Sequence, residues 1–174
     1  MMSNLLFLYG TVKSGQPNHS AIPVDGPGLC KCLGTGRTET KWPLVIATKY
    51  NLPFLLDCEG EGYNVQGEVY EIDDDILADI DKKEDQYDRR KVKIVMDKMA
   101  DGSEPTTLEC WFYLLPRFRQ SLLTLEKHEN YDSYGAHGQQ YIQMYDLENS
   151  RWLEPMETVN KEFAQLKREE EELT

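Results

Sequence analysis

Glu84 and the turn Tyr9-Gly10-Thr11-Val12 are the residues of this 174-residue chain whose types and places suit catalysis. Glu84 stands near the end of a segment, residues 73–87, whose spacing predicts an amphipathic helix. Asp73 reads as its N-cap, and Asp74 and Asp75 suit the positive end of the helix dipole. Ile76, Leu77 and Ile80 define the apolar face; Glu84 lies four residues beyond Ile80 and seven beyond Leu77, so it projects from that face. A carboxylate turned toward a core is desolvated, its pKa rises toward neutrality, and it then suits proton exchange near pH 7. The plain alternative is a helix that frays by Glu84, leaving the side chain in water. Helical phase alone does not choose between them.

The turn follows the apolar run Leu5-Leu6-Phe7-Leu8, which reads as a short buried strand. A glycine just past such a strand lets the backbone turn sharply and approach a bound group. Backbone N–H groups fanned out there suit a carboxylate or a developing oxyanion, although many strand–Gly–Thr turns only redirect the chain. A third stretch, residues 131–141, gathers three tyrosines, two glycines and His137 into a polar-aromatic loop able to hold a ligand. His137 reads as a base or as a hydrogen-bonding prop.

Other chemistries find little support. His19, His128 and His137 have no metal-ligand spacing, and no Gly-x-Ser-x-Gly elbow occurs. Residues 10–15 lack the Gly-Lys-Ser/Thr ending of a phosphate loop. Cys30, Cys32, Cys58 and Cys110 are too few and too irregular for a disulfide framework, so free thiols in a reducing cytosol are expected. What remains is one oxyanion-type cradle and one proton shuttle, with no metal and no covalent nucleophile.

The elements that must position these residues are mostly strands. Residues 29–41, two short runs at 43–47 and 53–57, residues 65–72, 89–96 and 108–115 all carry strand patterning. In 91–96, Val92, Ile94 and Met96 alternate against Lys91, Lys93 and Val95, a strand with one charged face. Six to seven strands and one strong helix fit a barrel and a sandwich equally. One domain over 1–153 is expected, followed by an acidic tail, 154–174, helical or partly ordered, with Glu169-Glu170-Glu171-Glu172 near its end. A net charge of −12 argues against nucleic-acid binding. Residues 1–4 carry no basic group before a short apolar run, and no stretch reaches membrane-span length, so a cytoplasmic protein is expected. Oligomeric state leaves no trace in the sequence.

Residues 9–19, Tyr-Gly-Thr-Val-Lys-Ser-Gly-Gln-Pro-Asn-His, resemble the signature of the gamma-glutamyl cyclotransferase-like family, especially its gamma-glutamylamine cyclotransferase branch. Val12 stands where the family usually has leucine. Residues 80–84, Ile-Asp-Lys-Lys-Glu, are similar to the family's Leu-Asp-x-x-Glu, whose glutamate acts as acid and base. Residues 131–141 resemble the branch's Tyr-Asp-Ser-x-Gly-Pro-His-Gly-x-x-Tyr, with Ala136 replacing the proline. The likeness extends over roughly residues 4–145.

This resemblance implies an α+β fold, a small, mostly antiparallel β-barrel with one or two packed helices. It implies a lyase-type cyclotransferase (an intramolecular acyl transfer) that needs no cofactor, with Glu84 catalytic and Tyr9, Gly10, Thr11, Val12, Tyr131, His137 and Tyr141 binding substrate. The substrate would be a small gamma-glutamyl compound, gamma-glutamyl-epsilon-lysine foremost, and the products 5-oxoproline and a free amine. Two alternatives stand beside this reading: a cyclotransferase for gamma-glutamyl amino acids, and a non-catalytic binding or scaffold member of the fold.

Overall fold

Leu5, Leu6, Phe7 and Leu8 are apolar in succession because both faces of their strand are covered. In the computed structural model, which describes residues 3–167, β1 (Ser3–Leu8) turns Phe7 into the barrel interior with Val69, Ile94 and Phe112. Leu6 and Leu8 face outward, beneath a helix, with Tyr70, Ile72, Ile76 and Leu77. A strand covered on both faces has no polar alternation to show.

The barrel closes from five strands. β2 (Cys30–Thr38), β5 (Gln66–Asp73), β6 (Asp88–Met99) and β7 (Thr107–Leu114) join β1 in the order β1-β5-β2-β6-β7. All neighbours are antiparallel except β1 and β7, which close the ring in parallel at Leu6 and Trp111. β6 has the expected form: Val92, Ile94 and Met96 are buried while Lys91, Lys93 and Val95 are exposed. On its outer face Arg89 and Lys91 sit over the Trp111 ring, 4.3 and 4.2 Å from its centre, and Arg90 pairs with Asp57 at 2.6 Å. Arg90 and Lys91 are exposed, while Arg89 is partly buried and pairs with Asp81 at 3.4 Å.

A hairpin of β3 (Leu44–Ala47) and β4 (Leu52–Leu55) packs on the barrel core through Leu44, Ile46 and Leu55, while Val45 and Phe54, both fully buried, face a second cluster with Leu115, Phe118, Leu122 and Leu166. The helix α1 (Asp74–Lys83) covers the outer face of β1 and β5. Its N-cap, Asp73, accepts from Ile76 N–H at 2.9 Å and from Leu29 N–H at 2.8 Å. Those hydrogen bonds hold the carboxyl below the usual carboxylate range. Asp73→Ala is therefore expected to lower the melting temperature by several degrees at pH 7. Because the folded-state pKa lies below the unfolded one, the difference should shrink as pH falls through the acid carboxylate range. Melting curves at pH 7 and pH 3 check both points; an equal deficit at both would remove the ionised cap from the account.

Further along, the described residues form a second small hairpin, β8 (Tyr145–Asp146) with β9 (Arg151–Trp152), and a helix α2 (Met156–Ala164). The described part of the acidic tail does not stand apart. Val159 and Leu166 are both buried, and Arg119 N–H donates to the Leu166 carbonyl at 2.9 Å. The run of glutamates at 169–172 lies outside the described residues.

Candidate active site

β1 stops at Leu8, paired with Glu68, and the chain then folds on itself. Lys13 N–H donates to the Gly10 carbonyl at 3.2 Å, and Asn18 N–H to the Thr11 carbonyl at 2.8 Å. The Asn18 side chain donates to Thr11 Oγ1 at 3.1 Å, and His19 Nδ1 lies 2.9 Å from the Val12 carbonyl. These bonds use the carbonyls of residues 10–12. Among the described residues the N–H groups of Gly10, Thr11 and Val12 donate to no protein acceptor. Gly10 has an ordinary φ; its missing side chain makes room for Pro53, whose Cγ would lie 3.1 Å from a Cβ there.

The turn is braced from far along the chain. Lys13 is buried and its Nζ donates to Asn130 Oδ1 at 2.6 Å and to the Tyr131 carbonyl at 2.7 Å. Burial pushes its pKa down to about 8. Gln16 donates to Asp132 Oδ1 at 3.2 Å and accepts from Ser133 N–H at 2.8 Å. A loop with this many long-range partners holds one conformation, the condition for preorganised donors.

Glu84 is the C-cap of α1, with φ −104° and ψ 33°, so the helix ends at Lys83, four residues before the expected position 87. Its backbone still bonds Ile80 O at 3.0 Å, which keeps the side chain on the phase of the apolar face. The half-buried carboxylate makes no hydrogen bond or ion pair among the described residues. Burial raises its pKa to about 7. Tyr9 and Tyr87 are held protonated by their own burial first and by the neighbouring Glu84 charge second. Tyr9 also donates to the Tyr113 carbonyl at 2.5 Å, and Tyr113 OH donates to Asp81 Oδ1 at 2.7 Å, tying strand end, β7 and α1 together.

A cleft of about 850 Å³ opens where these parts meet. Residues 7–12, Glu84 with its neighbours 83–87, Tyr113 and Tyr141 all line it. Of the residues singled out in the sequence, Tyr9, Gly10, Thr11, Val12, Glu84 and Tyr141 thus share one cavity. Tyr131 and His137 do not line it. Tyr131 is fully buried in the barrel core. His137 bonds the Asp132 carbonyl through Nε2 at 2.7 Å and accepts from Gln139 N–H at 2.8 Å, so it shapes its own loop. The physical reason is common to both: residues 130–133 turn inward to brace the glycine turn, leaving only the end of that segment to reach the cleft.

Sequence reading missed Tyr87, Tyr113 and the wall supplied by α2. Tyr87 lies three residues after Glu84, a spacing that marks it as a neighbour on a turn. Tyr113 carries no such mark, because its place depends on β7 pairing. The α2 wall had a signal, Met156, Val159 and Phe163 at helical spacing.

Comparison with known proteins accords with this geometry. The profile of the family described as "Gamma-glutamyl cyclotransferase, AIG2-like" matches residues 6–133. The chain belongs to that family. A Mus musculus relative named "Gamma-glutamylaminecyclotransferase" is 39% identical over 140 residues, covering 78% of this chain and 94% of the relative. A Drosophila melanogaster relative named "Troponin C-akin-1 protein" is 42% identical over 135 residues, covering 76% of this chain and 78% of its own. A crystal structure of an AIG2-like protein from Mus musculus superposes with a TM-score of 0.76 at 35% identity, covering 84% of this chain and 99% of that one. The family fold, an α+β barrel with packed helices, is the fold described above. No helix among the described residues is long and apolar enough to cross a membrane.

Proposed function

We propose that this protein is a gamma-glutamylamine cyclotransferase. The observation that carries the reading is one cleft holding both an unpartnered glutamate and a turn of free backbone N–H groups. The mouse relative's name supports the class of leaving group. The gamma-glutamyl headgroup lies in the turn formed by Tyr9, Gly10, Thr11 and Val12, beside Tyr141. Glu84, as carboxylate, takes a proton from the substrate's alpha-ammonium. The freed amine attacks the gamma-carbonyl carbon, forming the ring C–N bond, and the N–H groups of the turn stabilise the oxyanion. The tetrahedral centre then collapses: the gamma C–N bond breaks as Glu84 gives its proton to the leaving nitrogen, and the ring nitrogen, which holds two protons after the attack, loses one through the regenerated Glu84 carboxylate to the released amine, which departs as its ammonium form. 5-Oxoproline and a free amine result. Because nucleophile and electrophile belong to one molecule, the site need only hold the reactive rotamer, which accounts for a mechanism without a covalent nucleophile or cofactor. Gamma-glutamyl-epsilon-lysine from degraded crosslinks is the substrate this reading names first, acting in the cytoplasm, where the four free thiols are at home.

The test is product formation from gamma-glutamyl-epsilon-lysine and, in parallel, gamma-glutamyl-alanine. Turnover of the lysine compound supports the reading; turnover of the alanine compound alone moves the protein to gamma-glutamyl amino acids. Failure of both, with folded protein, favours a binding role. The pH profile is a second check. Glu84 must be ionised to accept the proton, so kcat/KM should rise with pH and level off above about 7. An acid limb centred near an ordinary carboxylate pKa, about 4.3, would mean that burial does not raise the pKa of Glu84.

A further inference from the structure

The reaction divides its substrate into a glutamyl half, which the turn and Glu84 engage, and a leaving amine, which must occupy the rest of the cleft. We infer that in this chain α2 and the hairpin before it form the leaving-group wall and select gamma-glutamyl conjugates of amines with an apolar body, arylalkyl amines above all. The inference rests on the cyclotransferase reading of the site and names the substrate class within it.

Three observations lead there. First, Met144, Trp152, Met156, Val159 and Phe163 line the same cleft as Glu84. Trp152 and Met156 are 47% and 44% exposed, large apolar side chains left open at the site. Exposed apolar surface gathered at a cavity marks a binding site rather than idle surface. Trp152 is held edge-on against Tyr145, ring centres 5.1 Å apart, so its ring has a fixed orientation to offer.

Second, the wall carries little that would recognise the zwitterionic end of a lysine. The acidic groups of α2 are engaged elsewhere: Glu157 pairs with Lys161 at 3.4 Å, and Glu162 accepts from the Lys49 backbone N–H at 3.1 Å. Asn160 and Lys167 are the polar side chains that α2 and the residues just after it bring to the lining. Among the described residues this wall brings no carboxylate to the cleft; Asp85, beside Glu84 at the catalytic end, is the other acidic side chain in the lining.

Third, the wall is joined to the catalytic end rather than merely adjacent. Phe163 packs edge-on to Phe54 with ring centres 6.4 Å apart, and Phe54 stacks on Tyr87 at 6.2 Å. Tyr87 follows Glu84 by one turn and donates to its carbonyl at 3.0 Å. An aromatic row therefore runs from α2 to the residue assigned the proton. This wall also lies beyond residue 133, where the family match stops.

The experiment measures kcat/KM for three compounds on the full chain: gamma-glutamyl-benzylamine, gamma-glutamyl-methylamine and gamma-glutamyl-epsilon-lysine. The benzylamine compound should exceed each of the others by about tenfold or more, the discrimination an apolar contact surface provides. Met156→Ala and Trp152→Ala, at exposed positions where folding is not at stake, should each shrink that ratio several-fold. Phe163→Ala, with a melting curve as its folding control, should do the same. Turnover of all three compounds without preference, or a lysine preference that the variants leave alone, overturns the inference and leaves the cyclotransferase reading standing. Failure to turn over any of the three, with protein folded, overturns both.

Discussion

Glu84→Gln is expected to lower kcat/KM by about 10²–10⁴-fold, the range that general acid–base catalysis contributes. The amide keeps the shape and fills the same half-buried place, yet it neither takes a proton from the alpha-ammonium nor returns one to the leaving amine. The same change should stabilise the fold. Glu84 has a pKa near 7 in the folded protein and about 4.3 unfolded. Between those values the folded state holds a proton that the unfolded state has lost, so stability declines as pH rises through that window. Glutamine is spared the decline. The variant should match the parent near pH 4.5 and exceed it at pH 8 by on the order of 1–3 kcal/mol, or a few degrees of melting temperature. Turnover retained in the variant removes Glu84 from the mechanism. Equal melting at pH 8 would mean the carboxylate is better solvated than its place in the cleft indicates.

Gly67→Ala is expected to be the most damaging small change to the scaffold. Gly67 lies on β5 where the end of β1 crosses close above it, and a Cβ there would fall 2.4 Å from the Leu8 carbonyl oxygen and 2.5 Å from the Phe7 ring. The carbonyl is backbone, and Phe7 is packed in the barrel core, so neither yields cheaply. A loss of about 3 kcal/mol follows from overpacking of this kind, roughly ten degrees in melting temperature for a chain of this size. The strain enters at Leu8, two residues before Gly10, so activity should fall further than the lost stability explains. Thermal melts with kinetics below the transition check this. A variant melting within a degree or two of the parent would show that the two strands separate easily.

The catalytic candidates were legible where local periodicity reports on position. Glu84 was found by helical phase, and the phase held even though the helix stops at Lys83, because one further backbone bond to Ile80 carries the side chain round. The charged face of β6 was equally plain from its alternation. Barrel closure was not, since the parallel contact of Leu6 with Trp111 joins residues that no pattern links; there the family resemblance supplied what periodicity lacked. Residues 131–141 divide between the cleft, which Tyr141 lines, and the brace of the glycine turn. Their polar and aromatic types suit a ligand surface, but Asp132 and Ser133 satisfy Gln16, and the Tyr131 carbonyl satisfies Lys13. Composition does not say which partner a hydrogen-bonding group will take. In α2 the apolar spacing was present, and the glutamates after it drew attention away.

The braces between residues 13–16 and 130–133 have a consequence for how the protein comes into being. They span more than a hundred residues of chain, and β1 closes the ring only against β7. Contacts of such high order carry a large loop-closure penalty and form slowly. During synthesis the glycine turn is made more than a hundred residues ahead of its clamps. A nascent chain therefore carries an unbraced apolar strand until residue 133 has emerged, and chaperones that cover apolar strands have their natural period of action there. The catalytic turn is completed by the same late event that closes the fold, so an incomplete chain has no partial activity to lose.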